Sequence, residues 1–164
     1  MTTDNAGACR FRNAEAADIP YVLKIEEESS GRWQREHFTR ELETAFSRFI
    51  VALLDDQIVG YAVAWNVTGE IQLNNIAVHP GFRRRGIGRM IVEHLVELHA
   101  RFNPEKILLE VNENNTAARS FYAGLGFTVT GVRKKYYAED DALLMEKSIA
   151  AGQDTDENKK SIFP

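Results

Sequence analysis

The stretch from Glu70 to Val111 constrains the fold more than any other part of the chain. It holds an apolar run ending Asn75-Ile76-Ala77-Val78, a basic glycine-bearing loop, an amphipathic stretch, and a second apolar run from Lys106 to Val111. The amphipathic stretch begins near Ile87 and carries Ile91, Leu95 and Leu98 at i, i+4 and i+7, with Glu93, Glu97 and Arg101 opposite. That spacing predicts a helix, ending near Phe102-Asn103-Pro104. A strand, a crossover of this length and a second strand join in the right-handed sense, which makes the two strands parallel. Ligands in such sheets sit beyond the carboxyl ends of the strands. Val78 with its basic loop and Val111 with the asparagines that follow it therefore converge on one mouth.

The flanking sequence predicts the remaining elements. Arg10-Phe11-Arg12 reads as a first strand, and Asp18 as the N-cap of a helix bearing Ile19, Val22 and Leu23. Trp33, Phe38, Leu42, Ala45 and Phe46 form a second helical stripe. Arg48 to Leu54 and Gln57 to Asn66 are strand-like runs around an Asp55-Asp56 turn, and Thr68-Gly69 leads into Glu70 to Val78, so three strands form an antiparallel meander. Asn115 to Leu125 is a helix with Gly126 as its stop, while Phe127 to Tyr137 and Ala142 to Ile149 are closing strands. His37, His94 and His99 fall on helix surfaces. The expected whole is one α/β domain over residues 10–150, with a mixed, mostly antiparallel sheet containing one parallel pair. A polar tail, 1–9, precedes it, and a charged tail, 151–164, whose composition reads as disorder, follows.

Composition narrows the function. A chain of 164 residues buries roughly two-thirds of its unfolded surface without a staple. Cys9 is the lone cysteine, so it forms neither an internal disulfide nor a zinc site, and a reducing cytoplasm is the expected location. No apolar run approaches the ~18 residues of a membrane span, and the N-terminus carries no export signal. A formal charge of −4 argues against a nucleic-acid binder. The expectation is a metal-free protein, monomeric or weakly dimeric, with no membrane or nucleic-acid partner.

Arg83-Arg84-Arg85-Gly86-Ile87-Gly88 reads either as a solvated basic loop or as an anion cradle. Two glycines let the backbone turn and approach a ligand, and the first amides of the following helix point at it. Neither the G-x-x-x-x-G-K-[ST] loop nor the G-x-G-x-x-G fingerprint is present. The Arg83-x-x-Gly86-x-Gly88 pattern, followed by Leu109-Glu110-Val111, Asn115-x-x-Ala118-x-x-x-Tyr122 and Gly124-Leu125-Gly126-Phe127, resembles the GNAT family of N-acetyltransferases over roughly Arg10 to Ile149. Within the family it is most similar to the bacterial ribosomal-protein-alanine N-acetyltransferases. The resemblance implies acetyl-CoA as cofactor, held by Ile76, Ala77, Val78, Arg83, Arg84, Arg85, Gly86, Ile87, Gly88, Asn115, Ala118 and Tyr122. It also implies a protein N-terminus, that of a ribosomal protein, as partner.

Acyl transfer to an amine needs a neutral nitrogen, a polarised thioester carbonyl and a stabilised leaving sulfur. An N-terminal α-amine is roughly a quarter neutral near pH 7.4, a lysine amine about 0.1%. Glu110 is the one ionisable side chain between Ile107 and Val111. It is either a strand-end carboxylate paired with a cation or, as the resemblance implies, a general base tuned by burial. Tyr122 shares a helix face with Asn115 and Ala118, where a phenol protonates a departing thiolate or merely packs. Asn115 is a helix cap, a cofactor contact, or both. A backbone amide of Ile76 or Val78 is the expected donor to the carbonyl.

Tyr136-Tyr137 resembles the segment that walls a peptide groove, although strand alternation alone would give one core and one exposed tyrosine. Trp33 and Asn75 complete the substrate side. Arg32-Trp33 stands where the family commonly has Pro-Trp, and Gln72 where it commonly has glutamate, with Glu70 a candidate to compensate. His79, before Pro80, reads as structural. Cys9 lies outside every motif, which favours direct transfer over an acyl-enzyme. Acetylation of a small amine and a catalytically silent acyl-CoA-binding module are the alternatives.

Overall fold

The computed structural model describes residues 8–149; 1–7 and 150–164, and with them most of both expected tails, lie outside the described residues. Seven strands form one sheet in the order β1-β2-β3-β4-β5-β7-β6. They are β1 (Arg10–Asn13), β2 (Ser47–Leu54), β3 (Gln57–Val67), β4 (Glu70–Val78), β5 (Lys106–Asn112), β6 (Thr128–Tyr137) and β7 (Asp140–Ser148). The helices are α1 (Ile19–Glu27), α2 (Arg35–Glu43), α3 (Ile87–His99) and α4 (Thr116–Gly124). The only parallel pair among the described strands is β4 with β5. The meander holds as well: Asp55, Asp56, Thr68 and Gly69 all have positive φ, the conformation of two-residue hairpin turns that match strand twist.

The sheet separates two apolar layers. Ile19, Val22 and Ile25 of α1 and Phe38 of α2 pack with Phe49, Val51, Tyr61 and Val63 on one face. Ile87, Ile91 and Leu95 of α3 and Tyr122 of α4 pack with Ile71, Ile107, Leu109 and Val111 on the other. Because β3 is covered on both sides, its residues 59–64 form an unbroken buried run instead of alternating.

Three local expectations are corrected. Asp18 occupies the N-cap position of α1 without capping it. A 3-10 turn, Ala16–Asp18, runs straight into the helix, and the carboxylate instead accepts from the Glu15 amide at 2.8 Å and pairs with Arg12 at 2.6 Å. The second stripe is not one helix, since Trp33 precedes α2 while Ala45 and Phe46 follow an extended Thr44. Phe46 stands 52% exposed against the edge of Trp65. Cys9 is half-buried against the α3 layer, and burial pushes its thiol up. His99 is fully buried, because it continues the four-residue spacing of Ile87, Ile91 and Leu95 onto the core face. His37 remains exposed, whereas His94 is half-buried and stacks on Phe11.

Candidate active site

Parallel pairing between β4 and β5 runs only from Glu70↔Lys106 to Leu73↔Leu109. Beyond it β4 stays paired with β3 through Val78 and β5 with β7 through Asn112, so the sheet opens between their carboxyl ends. A β-bulge starts the divergence: Val63 pairs with Asn75 and Ala64 with Leu73, leaving Asn74 extra. The bulge also reverses the faces. Ile71 and Leu73 before it and Ile76 and Val78 after it all pack toward α3, while Asn75 and Ala77 turn toward α1. An inserted residue with this effect is a feature of strand ends beside functional sites.

The basic loop lies at this opening. Arg84 and Gly86 have φ of +61° and +78°, and Gly86 is the residue before α3, with no side-chain cap on the helix. The amides at the start of a 13-residue helix therefore have no side-chain acceptor, the arrangement that attracts an anion. Gly88 serves a second purpose, since a Cβ there would lie 2.9 Å from the Phe121 ring; its absence lets α3 and α4 approach. The Arg83 guanidinium donates to the Val78 carbonyl at 3.0 Å and, across the mouth, to Ser29 Oγ at 3.1 Å and the Glu28 carbonyl at 3.4 Å. Arg85 lies over the Phe82 ring. His79 Nδ1 accepts from the Gly81 amide at 3.0 Å, a structural role.

Glu110 and Tyr122 lie on opposite faces of the sheet. Ile107, Leu109 and Val111 point into the α3 layer with Tyr122, so alternation turns Glu110 the other way. There its side chain is 23% exposed and Oε1 lies 2.9 Å from Arg133 Nη2. The apolar seclusion expected for it is absent: the carboxylate faces a guanidinium and water. Tyr122 is 8% exposed, edge-on to Phe127 and beside Phe121. Asn115 caps α4 through Oδ1, which accepts from the Ala118 amide at 3.1 Å.

On the α1 side, Trp33 packs beside Phe38 and His37. Tyr136, 46% exposed, lies under the Arg133 guanidinium at 4.9 Å. The segment between Arg133 and Tyr137 bulges out of register with β7, with Lys135 at φ +51° and its amide bound to Asp141 Oδ1. Tyr137 ends β6, and its side chain lies outside the described residues. Glu70, the candidate to compensate for Gln72, begins β4 two residues before it. Its carboxylate is bound to Lys106 at 3.2 Å, at the end of β4 away from Val78. Two participants escaped the sequence reading. Glu26 was visible only as a charge on the apolar spacing Ile19-Val22-Glu26; Arg133 reaches Glu110 through long-range strand pairing that no local pattern carries.

The acetyltransferase (GNAT) family model matches residues 19–127. The chain is 33% identical over 139 residues to the ribosomal protein bS18-alanine N-acetyltransferase of Salmonella typhimurium, covering 81% of this chain and 93% of that one. It is 29% identical over 141 residues to the protein of that name from Escherichia coli strain K12, covering 83% and 95%. A crystal structure of the ribosomal-protein-S18-alanine N-acetyltransferase from Escherichia coli superposes with a TM-score of 0.79 at 27% identity, covering 90% of this chain and 98% of that one.

Proposed function

The chain belongs to the acetyltransferase (GNAT) family, and on that premise we propose that it transfers acetyl from acetyl-CoA to the N-terminal α-amine of alanine on a ribosomal protein of the bS18 kind, in the cytoplasm. The observation that carries the reading is the meeting, where the β4–β5 pairing ends, of an uncapped helix N-terminus, an open β4 edge and the Glu110 carboxylate.

The residues present fit acetyl-CoA. The amides from Arg83 to Gly88 would hold its pyrophosphate, the free edge of Asn75 to Val78 would pair with the amides of its pantetheine arm, and Ala118 and Asn115 would border it. Acetyl-CoA supplies an acetyl group activated as a thioester. A backbone amide of Ile76 or Val78 polarises the carbonyl. Glu110 takes the proton that the α-amine sheds as its nitrogen bonds to the acetyl carbon, directly or through water. As the carbon–sulfur bond breaks, Tyr122 would give its proton to the sulfur and regain one from solvent; with a phenol near pKa 10 and a thiol near 8.5 that transfer is uphill by only about 2 kcal/mol. Trp33 and Tyr136, with Tyr137, wall the peptide.

The test is acetylation of short peptides read by mass spectrometry. Peptides with a free N-terminal alanine should be acetylated at the α-amine about 10²-fold faster in kcat/KM than at internal lysines, in line with the larger neutral fraction of the α-amine. Acetyl found chiefly on lysine side chains, or on free small amines in preference to peptides, would overturn the reading.

A further inference from the structure

Glu26, on α1, is fully buried, yet it contributes nothing to the proton transfers above. Five donors surround its carboxylate. Oε1 accepts from the backbone amides of Arg32 and Trp33, both at 3.0 Å, and from Ser30 Oγ; Oε2 accepts from Tyr61 Oη and from Asn75 Nδ2 at 3.3 Å. The first three belong to the loop between α1 and α2, the last two to β3 and β4. Tyr61 is itself fully buried, and burial together with Glu26 pushes its hydroxyl up, keeping it a donor. One carboxylate thus fastens the loop bearing Arg32 and Trp33 to the β4 residue just after the bulge. The loop is also closed by the Gly31 amide on the Glu26 carbonyl at 2.8 Å, with Gly31 at φ +64°. On its outer side Arg83 of the cofactor loop reaches Ser29 and Glu28.

We propose that Glu26 is a positioning residue for the acyl-accepting peptide: its carboxylate sets the Ser30–Trp33 wall at a fixed distance from β4, and so from the acyl group lying along that strand. The proposal rests on the peptide reading of the site. An exposed loop held only by water would present Trp33 in many orientations, and each peptide bound would then bear the ordering entropy. Five charge-assisted or buried hydrogen bonds fix one orientation before the peptide arrives.

The chemistry of the donor set distinguishes substitutions. Backbone amides can only donate, whereas a tyrosine hydroxyl and an asparagine amide can reverse roles. Glu26→Gln can therefore direct its carbonyl at Arg32 and Trp33 and its amide at Tyr61 Oη and Asn75 Oδ1, and peptide KM should stay within about threefold of the parent. Glu26→Leu keeps the volume and removes every acceptor. It should raise peptide KM by about tenfold or more while changing kcat and the calorimetric Kd for acetyl-CoA by less than about threefold. Trypsin cleavage after Arg32, relative to cleavage in the Arg83–Arg85 loop, should accelerate by about tenfold in the leucine variant and not in the glutamine variant. In the parent, with no variant at all, NMR hydrogen exchange should show the Arg32 and Trp33 amides slowed by about 10²-fold relative to an unprotected loop.

Unprotected Arg32 and Trp33 amides in the parent, or a folded Glu26→Leu protein with parental peptide KM, would overturn the proposal. So would a glutamine variant as impaired as the leucine one. A parent enzyme that acetylates no peptide at all would overturn the functional reading instead, and the exchange and proteolysis results would still decide whether the loop is anchored.

Discussion

Glu110 and Arg133 sit 2.9 Å apart at the mouth, and this pairing bears on the base role proposed for Glu110. The guanidinium engages Oε1, and the Glu110 side chain stays 23% exposed. An amine or a bridging water can reach it without desolvating a buried charge. Glu110→Gln should lower kcat on an N-terminal peptide by about 10²- to 10⁴-fold while leaving acetyl-CoA affinity near parental. Because an α-amine loses its proton unaided as pH rises through about 7.8, the deficit should shrink between pH 6.5 and 9. Stopped assays across that range decide the role: a deficit of constant size would mean that Glu110 orients the peptide amine without accepting its proton.

At the scale of elements, the start of α3 and the end of α4 make a contrasting pair. Gly86 has φ +78° in open space, so a side chain there meets no atom yet strains the backbone; Gly124 closes α4 with no contact within 4 Å and no positive φ. Gly86→Ala should destabilise by about 1–2 kcal/mol, and it should weaken acetyl-CoA binding as the α3 amides tilt. Gly124→Ala should stabilise by about 0.4–1 kcal/mol and leave the cofactor untouched. Urea titrations with calorimetry would show both, and equal effects at the two sites would contradict the conformations assigned to them. These elements were legible beforehand because their signals are local: Asp55-Asp56 and Thr68-Gly69 specify turns, the Ile87-Ile91-Leu95 spacing a helix, and Gly126 a stop. The opening of the sheet was not, since a bulge at Asn74 depends on which β3 residues lie opposite. Nor could spacing reveal that Glu26 gathers donors from three elements, or that Glu110 would find Arg133 across β7.

At the scale of the whole molecule, the buried histidine determines how the fold tolerates acid. His99 Nδ1 donates to the Leu95 carbonyl at 2.7 Å, since a carbonyl can only accept, and the buried Nε2 has no partner among the described residues. Burial lowers its pKa below the usual 6.5, only partly offset by the Leu95 bond, and Arg48 and Arg101 lower it further. His94, half-buried beside Phe11, is lowered by burial as well, with Glu97 opposing. Both groups bind a proton more readily unfolded than folded. Their contribution is therefore whole above pH 6.5 and is lost as pH falls from there toward the folded pKa. Asp18 acts in a separate window. The Arg12 hydrogen bond holds its carboxyl below the usual value of 3.8, so that share disappears only in stronger acid. The urea midpoint should stay level from pH 8 to 7 and decline from about 6.5 to 5. His99→Leu, compared with its own midpoint at pH 7.5, should lose the larger part of that decline, and a further His94→Leu most of the remainder. If the His99→Leu protein declines as steeply as the parent over pH 6.5 to 5, the acid sensitivity of the fold originates outside the α3 core.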